Sequence, residues 1–250
     1  MKIYAANWKM NKTPNEARAF CQAFLKLNKN NKDELVIFPP ALALEATQQS
    51  LQGSRVQWGL QNSYFKASGA YTGENSAEVL KSMGGQYVLI GHSERRQYFS
   101  EASLLLAEKV KYVLSLGLTP MLCIGETLEQ RQSGQTIEVC KKQLVEALSL
   151  ITPSQVTKTL SLVVAYEPVW AIGTGVVATP AQVRETHAAL FAELKSMGYE
   201  KTPLLYGGSV KADNAKELGQ IPHVDGFLVG GAALEAESFH RICESGSAQT

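Results

Sequence analysis

Four polar residues stand where apolar runs of the sequence stop. Glu167 directly ends one run and His92 follows another. Asn7 and Lys9 come at the end of the first run. A carboxylate at the rim of a dry core is a candidate base because desolvation raises its basicity, and an imidazole can donate a hydrogen to a nearby oxygen. Together with a lysine ammonium, these groups predict proton transfer on a small anionic molecule.

Each of these residues alone also has an ordinary structural explanation. A strand-end glutamate is often solvated, a lone histidine is usually a hydrogen-bonded structural residue, and a lone lysine usually lies at the surface. For His92 the next residues, 93–96, can open a helical turn whose N–H groups face the ring and favour neutral imidazole. The other histidines, His187, His223 and His240, are assigned packing or surface roles.

The segment that follows Glu167 predicts a lid. It combines a proline hinge, an apolar tip and glycines, which is typical of loops that close over a site. Its residues are Pro168, Val169, Trp170, Ala171, Ile172, Gly173, Thr174, Gly175, Val176, Val177 and Ala178. A loop this apolar favours a catalytic over a solvated Glu167.

Glycine turns close the last two apolar runs. Gly208 and Ser209 follow the seventh, and Gly230 and Gly231 follow the eighth. Backbone N–H groups in such turns bind phosphate. With Gly173 in the lid, the two turns predict a phosphate site, and an anionic ligand would make Lys9 its fixed positive charge.

Composition excludes several other classes of function. The formal net charge is +1 with no run of Lys or Arg, so the sequence gives no reason to expect nucleic acid or an acidic membrane as a partner. Four scattered cysteines and no metal-ligand spacing predict reduced thiols and no metal. We find no signal segment and no apolar stretch of about 20 residues, so we expect a cytoplasmic protein.

Eight short apolar runs separated by helical patterns must position these residues. The predicted strands are 2–6, 35–38, 56–60, 87–90, 120–124, 162–166, 204–206 and 226–229. Most are continuously apolar, the pattern of parallel strands covered on both faces. Helices are predicted to begin after Thr13 and Thr179, each followed by proline and then by a Glu or Gln that completes a capping box. Their predicted apolar stripes are Ala17, Phe20, Cys21 and Phe24 in the first helix and Val183, Leu190, Phe191 and Leu194 in the second.

The spacing favours a single (β/α)8 TIM barrel that forms one catalytic domain over residues 1–250. Eight units in 250 residues leave about 31 residues each, the size of a βαβ crossover. An open doubly wound sheet is the alternative, but its glycine-rich turn is absent after the first strand, where Asn7 and Lys9 stand instead. Only residues 245–250 read as a loose tail.

At these residues the chain resembles the triosephosphate isomerase family. The resemblance runs from residue 6 to residue 232 rather than through one motif. It is carried by NWKMN at 7–11, GAYTGE at 69–74, GHSERR at 91–96, CIGE at 123–126, YEPVWAIGTG at 166–175, YGGSV at 206–210 and GFLVGG at 226–231.

The resemblance implies interconversion of dihydroxyacetone phosphate and glyceraldehyde 3-phosphate through an enediolate, without a cofactor. It implies that Glu167 removes a carbon-bound proton while His92 polarises the carbonyl. Lys9 and Asn7 would stabilise the enediolate. Phosphate would be held by Gly173, Ser209, Gly230 and Gly231.

The resemblance also implies supporting residues and a partner. Glu94 would be a buried partner of Lys9, although on the sequence alone it could compete with Glu167 as the base. Cys123 and Glu126 would also stand behind the reacting groups. A homodimer is implied, in which the loop around Thr72 packs beside Asn11 and Lys9 of the neighbouring subunit. Two positions depart from the family pattern: Val176 where lysine is frequent, and Ser100 where glycine is common.

Two other functions stay open on the sequence. Another phosphosugar barrel, an epimerase or aldolase, would need clustered metal ligands or a Schiff-base lysine on a central strand, and neither is visible. A catalytically silent barrel that binds or scaffolds would have lost its base or electrophile, whereas Glu167, His92 and Lys9 are present.

Overall fold

The computed structural model describes residues 1–156, 161–172 and 176–247. Within them, eight strands form a closed barrel in the order in which they occur along the chain, and every neighbouring pair is parallel. The last strand pairs with the first, which closes the sheet. Helices alternate with the strands, so the predicted TIM barrel is confirmed.

The strands lie within one residue of the predicted bounds. They are β1 Ile3–Asn7, β2 Glu34–Phe38, β3 Gln57–Leu60, β4 Tyr87–Ile90, β5 Thr119–Ile124, β6 Val163–Tyr166, β7 Leu204–Tyr206 and β8 Gly226–Val229. Their continuous hydrophobicity has the predicted cause: successive side chains alternate between the barrel interior and the surrounding helices, and both sides are buried.

Side chains from all the strands but one fill the barrel interior below the candidate site. The inward-facing residues are Ile3, Ala5, Val36, Phe38, Tyr87, Leu89, Met121, Cys123, Val163, Ala165, Leu205 and Leu228. A second, larger cluster packs between the strands and the helices. The barrel interior is therefore a packed core, and the candidate site lies at its mouth.

Ten α-helices occur within the described residues. They are α1 Pro14–Leu27, α2 Leu44–Leu51, α3 Ala77–Ser82, α4 Ser93–Tyr98, α5 Ser103–Ser115, α6 Leu128–Gln132, α7 Thr136–Ala147, α8 Pro180–Ser196, α9 Ala212–Gly219 and α10 Ala236–Gly246. Both predicted helix starts are confirmed, with Thr13 and Thr179 as N-caps that each close a capping box. None of the described helices is long and apolar enough to cross a membrane.

The apolar stripe predicted for α1 is buried completely. Ala17, Phe20, Cys21 and Phe24 all face the core. In α8, by contrast, the predicted stripe member Phe191 is only partly buried, because its ring stacks on His223 at the rim with 3.8 Å between centroids. Phe191 therefore packs on the loop residue His223 instead of on the barrel core.

Candidate active site

The barrel brings the four sequence-predicted residues to one cavity at the carboxyl ends of the strands. Asn7 continues the inward-facing positions of β1, and Glu167 those of β6. The cavity has a volume of 360 Å³. Its lining includes Asn7, Lys9, Asn11, His92, Glu167, Ile172, Ser209, Lys211, Gly230 and Gly231.

Glu167 is 1% exposed and its carboxylate is held on both oxygens. One oxygen lies 3.0 Å from His92 Nε2, and the other accepts a 2.9 Å hydrogen bond from the Ser93 amide. Gly207 leaves room for this side chain, since a Cβ there would lie 2.9 Å from Glu167 Cγ. The base is thus fixed beside the imidazole by contacts that a larger residue at 207 would disturb.

His92 is the N-cap of α4, as the predicted helical turn requires. The amide of Glu94 donates to His92 Nδ1 at 3.3 Å. Because Nδ1 accepts, the ring hydrogen of the neutral tautomer is on Nε2. That hydrogen points toward Glu167 and the cavity, where a carbonyl oxygen would need a donor.

The pKa values of this pair differ from the sequence-based expectation. Burial alone would raise the pKa of Glu167, but His92 and the Ser93 amide outweigh it and hold that pKa below its ordinary value. Burial alone would likewise lower the pKa of His92, but the Glu167 carboxylate raises it above its ordinary value. Desolvation thus acts on Glu167 in the direction that the sequence predicted, but in this geometry its contacts with His92 and the Ser93 amide oppose that effect.

Lys9 has a left-handed backbone, with φ at 51°. Its amide donates to Asn7 Oδ1 at 3.0 Å, so the asparagine side chain fixes this turn. Its ammonium lies 2.5 Å from Glu94 Oε1. The cation therefore lies at the cavity already paired with Glu94, as the resemblance implied. The expected burial of Glu94 is wrong, because its side chain is 41% exposed.

Gln61 is a supporting residue that sequence reasoning missed. Its side-chain amide donates to the carbonyl oxygens of Lys9, at 2.8 Å, and of Phe38, at 2.9 Å. These bonds tie the left-handed turn after β1 to the end of β2. The signal was present, because Gln61 is also a polar residue that directly follows an apolar strand.

The predicted phosphate residues lie on one side of the cavity. Gly230 faces the Lys9 side chain, where an added Cβ would be 3.4 Å from Lys9 Cε, while a Cβ on Gly231 would meet open space. Ser209 donates its hydroxyl to the Ala171 carbonyl at 2.6 Å, so it contacts the lid segment in this structure. Gly173 lies outside the described residues.

The described parts of the lid are residues 168–172 and 176–178, whereas Gly173, Thr174 and Gly175 lie outside the described residues. Trp170 Nε1 donates to Glu126 Oε1 at 2.8 Å. Glu126 is fully buried and also accepts from Tyr166 at 3.2 Å. The indole ring faces the Arg131 guanidinium 5.7 Å away. Glu126 therefore acts on the lid rather than on the cavity.

Cys123 lies behind Glu167 within the barrel. Burial raises the pKa of its thiol well above the ordinary value, and the Glu167 carboxylate adds to that rise. A thiol kept protonated in this way is a poor nucleophile. Its position fits the supporting role implied by the resemblance.

A buried lysine on α5 forms a second network that sequence reasoning missed. Lys109 is 1% exposed and its ammonium lies 2.6 Å from Glu101 and 2.7 Å from the Asn62 side-chain oxygen. Arg95, on the helix that His92 caps, also bonds Glu101 at 2.8 Å. A lysine in a helix sequence reads as solvated, so no local pattern could reveal this partner.

A second cavity of 370 Å³ adjoins the first. It shares Lys9 and His92 with it and also involves Met10, Glu74 and Phe99. Met10 is 94% and Phe99 65% exposed. This cavity therefore has apolar side chains at its rim and the candidate catalytic groups at its base.

The predicted dimer residues lie near this region. Thr72 is exposed, and Asn11 donates to the Trp8 carbonyl at 2.7 Å. Ser100, one of the two departures from the family pattern, has a left-handed backbone with φ at 53°. A serine is strained in this left-handed conformation, whereas a glycine is not. Ser100 therefore carries a backbone cost that the glycine common at this position would avoid.

Among the described residues, no cluster of three or more His, Cys, Asp or Glu side chains could hold a metal ion. The arrangement offers a carboxylate, an imidazole donor and an ammonium around a small cavity with glycine turns. Such a set can move a proton between carbon and oxygen without further groups.

The family model described as triosephosphate isomerase matches residues 2–246 of the chain. The chain belongs to the triosephosphate isomerase family. A relative named triosephosphate isomerase from Bdellovibrio bacteriovorus is 57% identical over 241 residues, which are 96% of this chain and 98% of the relative.

Two further relatives carry the same name. One from Streptococcus agalactiae is 48% identical over 94% of each chain. One from Chlamydia trachomatis is 47% identical over 95% of this chain and 87% of its own. The triosephosphate isomerase resemblance inferred from the motifs is thereby confirmed over nearly the whole chain.

Proposed function

We propose that this protein interconverts dihydroxyacetone phosphate and D-glyceraldehyde 3-phosphate, a step of glycolysis and gluconeogenesis, as a single catalytic domain over residues 1–250 that needs no cofactor. The observation that carries the proposal is the meeting of Glu167, His92 and Lys9 at one cavity in a member of this family. An epimerase or aldolase is disfavoured because the described residues hold no metal-ligand cluster and none of the described strands carries a lysine for a Schiff base.

In the proposed mechanism, Glu167 takes a proton from the carbon next to the substrate carbonyl. To reach that carbon the carboxylate must leave the Ser93 amide and His92, which hold it at 2.9 and 3.0 Å. Once the two groups separate, burial dominates both: the pKa of Glu167 rises and that of His92 falls. Substrate entry thus frees the Glu167 carboxylate to act as a base, while the neutral imidazole keeps its Nε2 hydrogen as a donor.

His92 then donates from Nε2 to the substrate oxygen that gains negative charge. Lys9 and Asn7, which line the same cavity, stabilise the same charge. Donors fixed before the reaction are effective because they need no reorganisation when the charge develops. The Lys9–Glu94 pair and the Gln61 bonds hold the ammonium in place for this purpose.

The proposed phosphate contacts are Ser209, Gly230 and Gly231, with Gly173 of the lid. Ser209 bonds the lid at Ala171 in this structure, so this hydroxyl would have to change partner when phosphate binds. A lid with Ile172 at the cavity wall would exclude water. Water exclusion matters because an enediolate can expel its phosphate.

We further propose that the protein is a cytoplasmic homodimer. The exposed Met10 and Phe99 beside the second cavity support the dimer, since large apolar side chains grouped at a rim mark an association surface. In this arrangement the Thr72 loop of one subunit would lie beside Asn11 and Lys9 of the other. Four buried, unpaired cysteines support a reducing compartment.

The proposal is tested by a coupled spectrophotometric assay of the purified protein with glyceraldehyde 3-phosphate. We expect turnover by the wild type, loss of turnover in Glu167→Ala, and wild-type turnover in Glu244→Ala, whose glutamate is 64% exposed on α10. A folded wild type without turnover would contradict the proposal and favour the silent, phosphate-binding barrel.

A further inference from the structure

Lys211 lines the same cavity as the proposed phosphate residues. It follows the turn that contains Ser209 and immediately precedes α9. Its backbone amide donates to Asn214 Oδ1 at 2.8 Å, which fixes the start of the helix and leaves the side chain exposed. The backbone of Lys211 is thus held in place, while its exposed side chain can change conformation to contact a ligand.

Lys9 and His92 at the cavity each contact a carboxylate, whereas Lys211 does not among the described residues. Lys9 is paired with Glu94 at 2.5 Å, and His92 with Glu167 at 3.0 Å. For Lys211, no carboxylate lies within 4.0 Å among residues 1–156, 161–172 and 176–247. Lys211 therefore brings an uncompensated positive charge to the rim.

The nearest acidic residues in sequence do not line this cavity. Asp213, two positions along α9, lines a different cavity that also contains Lys216 and the first residues of the chain. Glu235 follows the cavity residue Leu234 but is not part of the lining. Among the described residues that line this cavity, Glu167 is accordingly the one carboxylate, and it contacts His92 rather than Lys211.

We propose that Lys211 is a further substrate-binding residue, which attracts the phosphate dianion to the cavity and contacts it from the rim. The inference rests on the proposed function, because it assigns the charge to a phosphorylated substrate. An exposed charge acts at long range in low salt and is screened over about 8 Å at physiological ionic strength. Lys211 should consequently act on substrate capture and leave the chemical step to Glu167 and His92.

The first test compares wild type with Lys211→Gln in the isomerase assay as ionic strength is raised. At about 10 mM ionic strength we expect kcat/KM to fall roughly two- to fivefold with kcat unchanged, and the difference to shrink at about 0.2 M. Lys211→Arg should restore kcat/KM. Lys216→Gln is the matched control, because Lys216 is on the same helix but lines the other cavity.

The second test does not depend on turnover. Binding of inorganic phosphate, measured by titration calorimetry, should weaken by a similar factor in Lys211→Gln and stay unchanged in Lys216→Gln. Equal phosphate affinity in wild type and Lys211→Gln would overturn the inference. If the wild type lacks turnover but Lys211→Gln still weakens phosphate binding, the isomerase proposal fails and the anion-binding role of Lys211 stands.

Discussion

At the scale of single residues, the site depends on groups that are held in place before a ligand arrives. Glu167 is bonded through both oxygens, and His92 through both ring nitrogens. Such bonds fix the position of both groups and the tautomer of His92, yet they also stabilise the ionised carboxylate of Glu167 and so oppose proton abstraction. The same contacts therefore position the base and must be broken before it acts.

The position of the Glu167 carboxylate can be tested by shortening its side chain. In Glu167→Asp the carboxylate retracts by about 1 Å, and we expect turnover to fall on the order of 10²-fold because the reacting atoms lose alignment. The coupled assay measures this, with circular dichroism to establish that the variant folds. An unchanged rate would remove Glu167 from its proposed role.

Gln61 is expected to position Lys9 through the backbone. Gln61→Leu deletes its hydrogen bonds to the Lys9 and Phe38 carbonyls, and we expect a loss of roughly 1 to 2 kcal/mol in the free energy of unfolding together with a lower kcat. Urea unfolding and the assay measure the two effects. Gln57→Leu, at the opposite end of β3, is the control. Loss of stability with full kcat would contradict the positioning role.

At the scale of elements, the lid is tied to the body of the barrel by a few polar contacts. Trp170 reaches the buried Glu126, and Ala171 accepts a hydrogen bond from Ser209. These two contacts compete with the contacts that the lid would make when closed over the site. A lid that is too stable in one position cannot move to the other. Glu126 and Ser209 lie in the turns that follow β5 and β7, so both contacts join the lid to the carboxyl ends of barrel strands.

The Trp170 contact predicts the local stability of the lid. Trp170→Phe keeps the aromatic packing but removes the donor to Glu126, and we expect amide exchange over residues 168–172 to quicken roughly fivefold, equivalent to about 1 kcal/mol. Hydrogen exchange with mass spectrometry measures it, and α1 provides the internal control. Unchanged exchange in the lid would show that other contacts hold it.

At the scale of the whole molecule, the closed barrel buries groups whose ionisation then affects stability. His187 on α8 is fully buried between the rings of Tyr166 and Tyr206. Its Nδ1 bonds the His223 carbonyl at 2.8 Å, whereas its Nε2 is buried without a partner among the described residues. Burial lowers the pKa of His187 to about 4. The predicted packing role of this histidine is confirmed.

This buried histidine predicts a loss of stability in acid. Because the pKa is about 4 in the folded state and about 6.5 when unfolded, the unfolded state binds more protons between these values. Stability should therefore fall as pH drops from about 6.5 to 4, by at most about 3 kcal/mol from this group. Below pH 4 the group adds no further change.

Urea unfolding at fixed protein concentration from pH 7 to 4.5 measures the effect. We expect the pH dependence to be shallower in His187→Gln, which cannot take up the proton. His240→Gln is the control, since His240 is only partly buried on α10. Parallel curves for wild type and His187→Gln would show that other groups cause the acid loss.

The sequence by itself determined the barrel and the identity of its candidate catalytic residues. Strand bounds follow from local hydrophobicity, and a polar residue after a buried parallel strand must lie at the mouth of the barrel. That rule predicted the cavity positions of Asn7 and Glu167, and it would also have found Gln61. The capping boxes before α1 and α8 are likewise local, so their sequence signals were sufficient.

Only the tertiary structure decided which groups meet and what charge they carry. The opposed pKa shifts of Glu167 and His92, the contact of buried Lys109 with Asn62 and the lack of a carboxylate beside Lys211 within the described residues all depend on how distant parts of the chain meet. Such contacts are set by the register and closure of the eight strands. Local patterns specify each element, but electrostatic energies depend on distances between elements, which the sequence pattern does not contain.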